Sequence, residues 1–430
     1  MATSVQLEPT AYEAPKAAPS LGSNFSWIFT GNIIYALCQW VMLSVLAKLG
    51  SAAIVGQFAL GLAIAAPVFM FTNLQLRAVQ ATDAHSEYSF ADYFTLRFVA
   101  SSIALVLIAG LVALLNCDAI TRAVVLLVAA AKAIESLSDV IAGLLQKEER
   151  VHYIALSLII RGLASAITFG LLFAQFRSMV LAVAGMLLTW LLTLILYDLR
   201  WAKAFLQSGE RFWCLRRQSI NRLLLLSLPL GAVMTLMSLN VNIPRYFLQY
   251  HLGPANLGIF ASLAYVLVSV TLLVNALGES AITRLSRMFA AKEIKQFRSL
   301  LLKLVTLASG IVVIGVPLAL ATGRQVLTIL YRPEYGEHVS VLAIMVTASG
   351  VWAIGSFVTY GLTSARRFLT QIPVISFATL TTTVTCVLLV PRYGLIGAAL
   401  ALLASSVVFV AGTSLILVSA LKACDEEARG

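Results

Sequence analysis

Four charged side chains lie within the two apolar segments of the stretch from Ala131 to Gly162. Lys132, Glu135, Asp139 and Arg161 interrupt what otherwise reads as two membrane-spanning helices joined by a short charged connection. A charge in the hydrocarbon core of a bilayer costs at least about 2.5–3.5 kcal/mol. Since the chain accepts that cost repeatedly within one helical hairpin, either its structure or its function requires these groups.

Helical geometry places these charges on one face and at similar depths. At ~100° per residue, Lys132, Glu135 and Asp139 fall within roughly 60° of arc. Counting ~1.5 Å per residue from the connection Lys147–Arg150 puts Arg161, on the returning helix, level with both acids, and Lys132 deeper. We therefore expect an ion pair between Arg161 and one of these acids. Two compatible interpretations stay open: the cluster pins two helices together, or it lines a polar cavity.

The composition identifies the broad class of protein. The 430-residue chain is 60% hydrophobic and only 11% charged, with a mean hydropathy of +0.93, which excludes an ordinary soluble domain. Its apolar segments reach ~20 residues, the length that a membrane-spanning helix needs. The cysteines and histidines are scattered, and the sequence contains no nucleophile elbow, phosphate-binding loop or metalloprotease motif. The sequence thus predicts no metal, no cofactor and no enzyme activity.

The hydropathy pattern predicts an all-α polytopic membrane protein with twelve transmembrane helices in two six-helix lobes. Residues 1–24 are predicted to be a disordered cytosolic tail, 25–197 the N-terminal lobe, 198–222 a basic cytosolic linker, 223–421 the C-terminal lobe and 422–430 a second cytosolic tail. The linker is also rich in aromatic residues, which suits an ordinary connection or a segment lying on lipid headgroups. The predicted spans are Phe25–Ala47, Ala52–Phe71, Tyr93–Leu115, Ile120–Gln146, Val151–Phe173, Met179–Tyr197, Leu223–Tyr250, Asn256–Leu277, Leu300–Ala321, Val339–Leu362, Leu369–Val390 and Leu395–Leu421.

Basic residues predict the orientation of these spans. With the N-terminus in the cytosol, the cytosolic loops and tails, in which Arg97 is counted, contain about 21 of the 30 Lys and Arg residues, and the outer loops contain about 7. This asymmetry follows the positive-inside rule and predicts a multi-pass protein of the cell inner membrane with both termini cytosolic. It also explains the net charge of +11 without a nucleic-acid partner.

One segment recurs in the two halves of the chain. Val55–Ala59 (V-G-Q-F-A) matches Leu257–Ala261 (L-G-I-F-A), and continuing without gaps brings Asn73 onto Asn275. Just upstream, Lys48–Gly50 (K-L-G) parallels His251–Gly253 (H-L-G) with a one-residue slip, so in both halves the match covers the end of one helix, a tight outer turn and the next helix. Such a repeat predicts two lobes related by an axis along the membrane normal, with a transport cavity between them.

Polar residues within the spans are predicted to face this cavity, because polar side chains in a bundle avoid lipid; hydrogen bonding between helices is the alternative. Arg77 and Arg245 are predicted to join Lys132 and Arg161 in a ladder of cations, which suits an anionic group such as phosphate. The uncharged members of the predicted cavity are Asn32, Gln39, Asn73, Gln75, Asn240, Asn242 and Asn275. The acids that could take up a proton or sodium ion and couple it to transport are Glu135, Asp139 and Glu279.

The chain resembles the polysaccharide exporters of the multidrug/oligosaccharidyl-lipid/polysaccharide transporter superfamily, from Asn24 onwards. More narrowly, it resembles the flippases for O-antigen or exopolysaccharide repeat units on polyprenyl pyrophosphate. The segments that carry the resemblance are N-L-Q-L-R at 73–77, F-A-D-Y-F-T-L-R at 90–97, S-L-S-D-V-I-A-G-L-L-Q-K-E-E-R at 136–150, S-L-I-I-R-G at 157–162 and Y-G-L-I-G-A-A-L-A at 393–401.

The resemblance implies two lobes with the architecture of the multidrug and toxic-compound extrusion (MATE) transporters, which work by alternating access. The implied substrate is a lipid-linked oligosaccharide in contact with membrane lipids, and a polysaccharide polymerase and chain-length machinery are implied as further partners. The family's cavity cations map onto Arg77, Lys132, Arg161 and Arg245. One alternative is a multidrug/cation antiporter of the same superfamily, which would need an acidic cavity. Another is a membrane-embedded polysaccharide polymerase or ligase, which would need a large outer loop.

Overall fold

The chain folds almost entirely into α-helices. The structure is a computed structural model that describes residues 21–83, 86–115, 117–206, 211–213, 216–365 and 370–427. Most of the predicted N-terminal tail and the end of the C-terminal tail therefore lie outside the described residues. The helices are α1 (Leu21–Leu49), α2 (Ala52–Thr72), α3 (Leu76–Thr82), α4 (Phe90–Leu114), α5 (Ala119–Lys147), α6 (Val151–Phe176), α7 (Met179–Thr193), α8 (Leu199–Phe205), α9 (Arg217–Val266), α10 (Val268–Ala290), α11 (Ile294–Leu330), α12 (Val339–Ser364) and α13 (Gln371–Glu427).

Two short elements connect these helices. A π turn, Leu194–Asp198, joins α7 to α8 without a break, and a 3₁₀ turn, Pro333–His338, precedes α12. Within the described residues, nine helical segments are long and apolar enough to cross a membrane. Helices cover the predicted spans to within a few residues. The predicted all-α membrane class is confirmed.

Short polar residues set the starts of several helices. Ser89 and Asp92 form a capping box at the start of α4, in which each side chain accepts a hydrogen bond from the other's backbone N–H. Asp118 caps α5, because its carboxylate accepts hydrogen bonds from the hydroxyl and the backbone N–H of Thr121. These bonds also hold the pKa of Asp118 below its usual value.

Two glycines interrupt the longest helices. Within α9, Gly253 has φ 79° and ψ −178°, a conformation open to glycine, and Pro254 follows it. Within α13, Gly394 has φ 56° and ψ −126°. The first break lies between the predicted spans that end at Tyr250 and begin at Asn256. Each long element thus consists of two helices that meet at a sharp turn.

The predicted inter-lobe linker, residues 198–222, packs against the N-terminal half where the structure describes it. The Trp201 ring stacks on Tyr153 with centroids 3.8 Å apart. Phe212 and Trp213 meet the ring of Phe94 edge-on at 5.5 and 5.3 Å. The aromatic side chains of this segment therefore pack on the first turns of α4 and α6.

The recurring sequence segment lies where the two halves of the chain meet. Helix α2 makes its most extensive contact with α9. A Cβ atom added to Gly56 would lie 1.8 Å from the carbonyl oxygen of Pro254, and one added to Gly258 would lie 1.9 Å from that of Ala52. Each glycine thus packs against the residue four positions before the other glycine, a reciprocal contact of the kind that small residues allow between membrane helices. The two copies of the repeated segment therefore pack against each other where the halves of the chain cross.

Further contacts join the halves on the same side of the bundle, called here the turn side because it contains the turn at Gly50 and Ser51. The indole N–H of Trp40 donates to the Tyr331 hydroxyl at 3.1 Å, and this hydroxyl donates to the carbonyl oxygen of Ser262 at 3.1 Å. Arg332 donates to the carbonyl oxygen of Lys48 at 3.0 Å. The opposite side, called the hinge side, contains the connection Lys147–Arg150.

We expect Gly258→Ala to destabilise the protein, because the added methyl group overlaps the backbone of Ala52. Overpacking of this kind costs ~1–3 kcal/mol, and the thermal unfolding midpoint of detergent-purified protein measures it. Gly310→Ala is the matched control, since a Cβ atom at Gly310 meets nothing within 4 Å. Equal midpoints for the two variants would contradict a tight crossing at this point.

Candidate substrate cavity

The charged stripe predicted on α5 exists, and each charge on it has an ionic partner. Lys132 Nζ donates to Glu135 Oε2 at 2.6 Å, and Tyr35 Oη from α1 donates to Glu135 Oε1 at 2.9 Å. Lys132 also lies 5.8 Å from the centre of the Trp190 ring, a cation–π arrangement. Glu135 therefore ties α5 to α1 and neutralises the nearest cation.

Asp139 is shared by two arginines from different helices. Arg97 Nη2, on α4, lies 2.9 Å from Asp139 Oδ2, and Arg77 Nη1, on α3, lies 3.4 Å from Asp139 Oδ1. Arg97 also donates to the Ser136 hydroxyl at 3.5 Å, and Arg77 Nε donates to Gln146 at 3.0 Å. One carboxylate thus meets two guanidinium groups in this part of the bundle.

A tight turn brings Arg77 to this position. Leu74 and Gln75 both have φ 51°, the left-handed conformation, so the chain bends between α2 and α3, and α3 packs on α5. Gly143 permits the close approach, because a Cβ atom there would lie 2.4 Å from Gln80 Oε1 and 3.3 Å from the Cα of Arg77. The left-handed turn at the end of a helix is a local feature that the apolar pattern does not show.

The partner of Arg161 corrects a prediction from the sequence. Arg161 was expected to pair with Glu135 or Asp139, but its Nη2 lies 3.1 Å from Asp198 Oδ2 in the π turn. Ser157 donates to the other oxygen of Asp198 at 2.6 Å. The pair is almost fully buried, with 4% and 5% of the two side chains exposed. Asp139 is unavailable to Arg161 because two other arginines occupy it.

Several predicted residues line one small cavity in the N-terminal half. Its volume is about 210 Å³, below the ~300–1,000 Å³ typical of pockets that enclose a whole drug-sized ligand. It fits a compact charged group better than an oligosaccharide. The predicted residues in its lining are Asn32, Arg77, Glu135, Asp139 and Arg161, and Tyr35, Ser157 and Asp198 are among the others.

The other uncharged residues predicted in the N-terminal half have varied surroundings. Asn73 accepts a hydrogen bond from Ser136 at 2.6 Å and so supports the charged stripe. Gln75 precedes α3 in the left-handed turn. The buried Gln39 Nε2 has no hydrogen-bond partner among the described residues.

The predicted residues of the C-terminal half do not join that cavity. Asn240 is buried and accepts hydrogen bonds from Thr382 and from Ser405, the latter at 2.8 Å. This is the alternative role of helix-to-helix hydrogen bonding. Asn275 and Glu279 on α10 are exposed. The correspondence of Asn73 with Asn275 therefore does not extend to their surroundings.

Arg245 differs from the buried cations of the N-terminal half in that it has no carboxylate partner among the described residues. Its Nη1 donates to the amide oxygen of Asn242 at 3.1 Å, and its buried Nε has no hydrogen-bond partner in the part of the chain that the structure describes. Arg245 takes part in none of the ion pairs found between described residues. An uncompensated guanidinium group at this position is able to bind an anion.

Two residues of the cluster were missed by the sequence analysis. Arg97, expected among the loop cations, lies in α4 with 0% of its side chain exposed. Asp198, expected at the start of the linker, is buried inside the bundle. Both sit near the predicted end of a span, where a charge ordinarily indicates the membrane surface. Helices that continue beyond the predicted boundaries turn these residues inward.

Comparison with known proteins finds similarity over most of the chain. The family described as "Polysaccharide biosynthesis protein" matches residues 21–289. The capsular polysaccharide biosynthesis protein CapF of Staphylococcus aureus is 27% identical over 385 residues, which cover 90% of this chain and 96% of that protein.

Solved structures share the fold at low sequence identity. The lipid II flippase MurJ, in an inward closed conformation, has a TM-score of 0.75 and is 12% identical, with 93% of this chain and 89% of that chain covered. An inward-facing multidrug resistance transporter of the MATE family has a TM-score of 0.71 and is 14% identical, with 91% and 95% covered. The fold is therefore that of a multi-pass, all-helical membrane protein of the MATE and MurJ type.

We expect the Arg161–Asp198 pair to act through structure. Asp198→Asn leaves a buried guanidinium without its counter-charge, which costs ~3–5 kcal/mol and lowers the unfolding midpoint in detergent. Arg161→Met with Asp198→Asn removes both charges and should recover most of that loss. An Asp198→Asn protein as stable as the unmodified one would contradict this assignment.

Proposed function

The chain belongs to the polysaccharide biosynthesis protein family, and we propose that it is a transporter that flips polyprenyl-pyrophosphate-linked oligosaccharide repeat units across the cell inner membrane. The units would serve surface polysaccharide synthesis, as O-antigen or exopolysaccharide. The function of the CapF relative in capsular polysaccharide biosynthesis supports this class of product. Transport of this kind makes and breaks no covalent bond, so the proposal includes no enzyme activity.

The observation that carries the proposal is the uncompensated Arg245. A guanidinium group with a buried nitrogen and no acidic partner among the described residues is costly to keep in a membrane unless an anion binds there. The diphosphate of a lipid-linked oligosaccharide is such an anion, and guanidinium groups bind phosphate through paired hydrogen bonds. In the proposed ladder, Arg245 acts with Arg77 and Lys132, whereas Arg161 is held by Asp198 and contributes through structure.

An apolar groove between the halves supports a substrate that carries a lipid. It has a volume of about 530 Å³ and lies between α1, the end of α9 and the start of α10. Its lining is almost wholly apolar and includes Phe29, Leu37, Tyr265 and Leu272. We propose that the polyprenyl chain passes here and stays in contact with membrane lipid while the diphosphate and sugars cross the interior.

The proposed topology has twelve membrane-spanning helices in two lobes of six. Dividing α9 at Gly253 and α13 at Gly394, and taking α2 with α3, α7 with α8, and the end of α9 with α10, gives twelve crossings. The hinge side then faces the cytosol, in keeping with the positive-inside rule, and both termini are cytosolic. In this topology the contacts of Trp40, Tyr331 and Arg332 hold the two halves together on the outer side. Such an arrangement suits a state that accepts substrate from the cytosolic leaflet.

Ion coupling and partner proteins complete the proposal. Glu135 and Asp139 are paired with cations, whereas Glu279 is exposed on α10. Uptake of a proton or sodium ion by one of these acids would bias the two access states. A polymerase and chain-length machinery would receive the flipped units on the outer face.

We expect Arg245→Ala to reduce surface polysaccharide at least about 10-fold, because a hydrogen-bonded charged contact is worth ~1.5–3 kcal/mol. The assay is complementation of a host that lacks its own copy of the gene, with protein level measured by immunoblot. Arg392→Ala is the matched control, since Arg392 is exposed near the break in α13. Normal polysaccharide from Arg245→Ala at equal protein level would remove the central support of the proposal.

Reconstituted vesicles test the class of substrate directly. A fluorescent lipid-linked oligosaccharide in the vesicle membrane becomes accessible to a quencher outside only when it is flipped. Faster quenching with the protein than with empty vesicles is the expected result. Transport of a cationic drug without flipping of the labelled lipid would favour the antiporter alternative.

A further inference from the structure

The two arginines that share Asp139 are not equivalent. Arg97 is fully buried, with 0% of its side chain exposed, and lies 2.9 Å from the carboxylate. Arg77 keeps 33% of its side chain exposed and lies 3.4 Å from the other oxygen, longer than the ~2.7–2.9 Å of a strong charge-assisted bond. The carboxylate of Asp139 therefore forms its stronger ion pair with Arg97.

The burial of Arg97 fixes this assignment. Among the described residues, its other hydrogen bond is a 3.5 Å bond to the hydroxyl of Ser136. That hydroxyl donates to Asn73 and accepts from Ser101 at 3.0 Å. A buried guanidinium group cannot exchange its counter-charge for water without a large cost. Arg97 and Asp139 consequently stay together while other contacts in the cavity change.

Arg77 has the opposite properties. It lines the small charged cavity, and its Nε is oriented by Gln146 at 3.0 Å. Its Nη2 has no hydrogen bond within the described residues, and its Nη1 makes only the long contact to Asp139. Since a guanidinium group presents donors in a planar fork, these two nitrogens are available to the two oxygens of one phosphate.

We propose that Arg97 is a positioning residue that holds the charge of Asp139, so that Arg77 remains available for the diphosphate of the substrate. This inference rests on the proposed function. Arg77, Arg97 and Asp139 together carry one net positive charge, which a phosphate oxygen neutralises. On binding, Arg77 exchanges its long contact with Asp139 for the phosphate, and Asp139 stays paired with Arg97.

The same arrangement provides for release. When the phosphate leaves, Asp139 is still in place and recaptures Arg77 without rearrangement of α3 or α5. A cavity with Arg77 and no nearby carboxylate would bind the diphosphate more tightly and let it go more slowly. Asp139 thus competes with the substrate for Arg77, while Arg97 holds Asp139 in position.

Binding of farnesyl diphosphate to the detergent-purified full-length protein tests this exchange. Arg77→Gln should weaken the affinity ~10- to 100-fold, the effect of losing a charged hydrogen-bonded contact, with little change in unfolding midpoint. Arg97→Gln with Asp139→Asn should tighten it several-fold, because the competitor for Arg77 is gone. The paired substitution removes charge and counter-charge together, so no buried charge is left alone.

A matched control and a second readout separate positioning from structure. Arg392→Gln, an exposed arginine outside the cavity, should bind the probe as the unmodified protein does. In the vesicle assay, the Arg97→Gln, Asp139→Asn protein should bind more tightly and flip the labelled lipid more slowly. A merely structural pair would change stability and leave both the affinity and the flipping rate as they were.

The possible failures are distinguishable. If the unmodified protein binds no farnesyl diphosphate and flips no labelled lipid, the proposed function fails and this inference fails with it. If the unmodified protein does both and Arg77→Gln binds equally well, only the inference is overturned. Unchanged or weaker affinity in the folded paired variant likewise overturns the competition between Asp139 and the substrate.

Discussion

A charge inside an apolar helix bundle is tolerated when an opposite charge lies beside it, and the N-terminal half of the chain depends on this constraint. Every charged residue of its interior cluster, from Arg77 to Asp198, has an ionic contact. These contacts join α3 and α4 to α5, and α6 to the π turn. The bonds that offset the cost of burial therefore also determine how the helices are placed.

The C-terminal half pairs its buried polar groups with neutral partners. Its buried polar groups are mostly amides and hydroxyls, such as Asn240 with Thr382 and Ser405, and Arg245 meets an amide where the N-terminal cations meet carboxylates. The fold is shared with a lipid II flippase and with multidrug transporters, so the fold alone does not select the cargo. The substrate class has to be argued from the site, and here from the sign and the pairing of the interior charges.

The positions of the helices were predictable because hydropathy and Gly/Pro breaks are local properties, as the turn at Gly253 and Pro254 shows. The repeat around Gly56 and Gly258 was visible in the sequence, but the close contact of these two glycines between the halves was not predicted and comes from the packing of α2 on α9. The partner of Arg161 was not predictable, because Asp198 lies on a different helix whose rotation depends on a π turn. Arg97 was missed because a charge near the end of a span reads as membrane surface, and only the packing of α4 on α5 reveals its burial.

The crossing of Gly56 and Gly258 has a consequence for how the chain is made. The two glycines are separated by about 200 residues, which a ribosome adds in roughly 10–40 s. During that interval the small-residue face of α2 lacks the surface on α9 against which it packs in the folded protein. The N-terminal half therefore completes its packing only after the second half has been inserted, so a chain truncated before α9 lacks the surface that closes it.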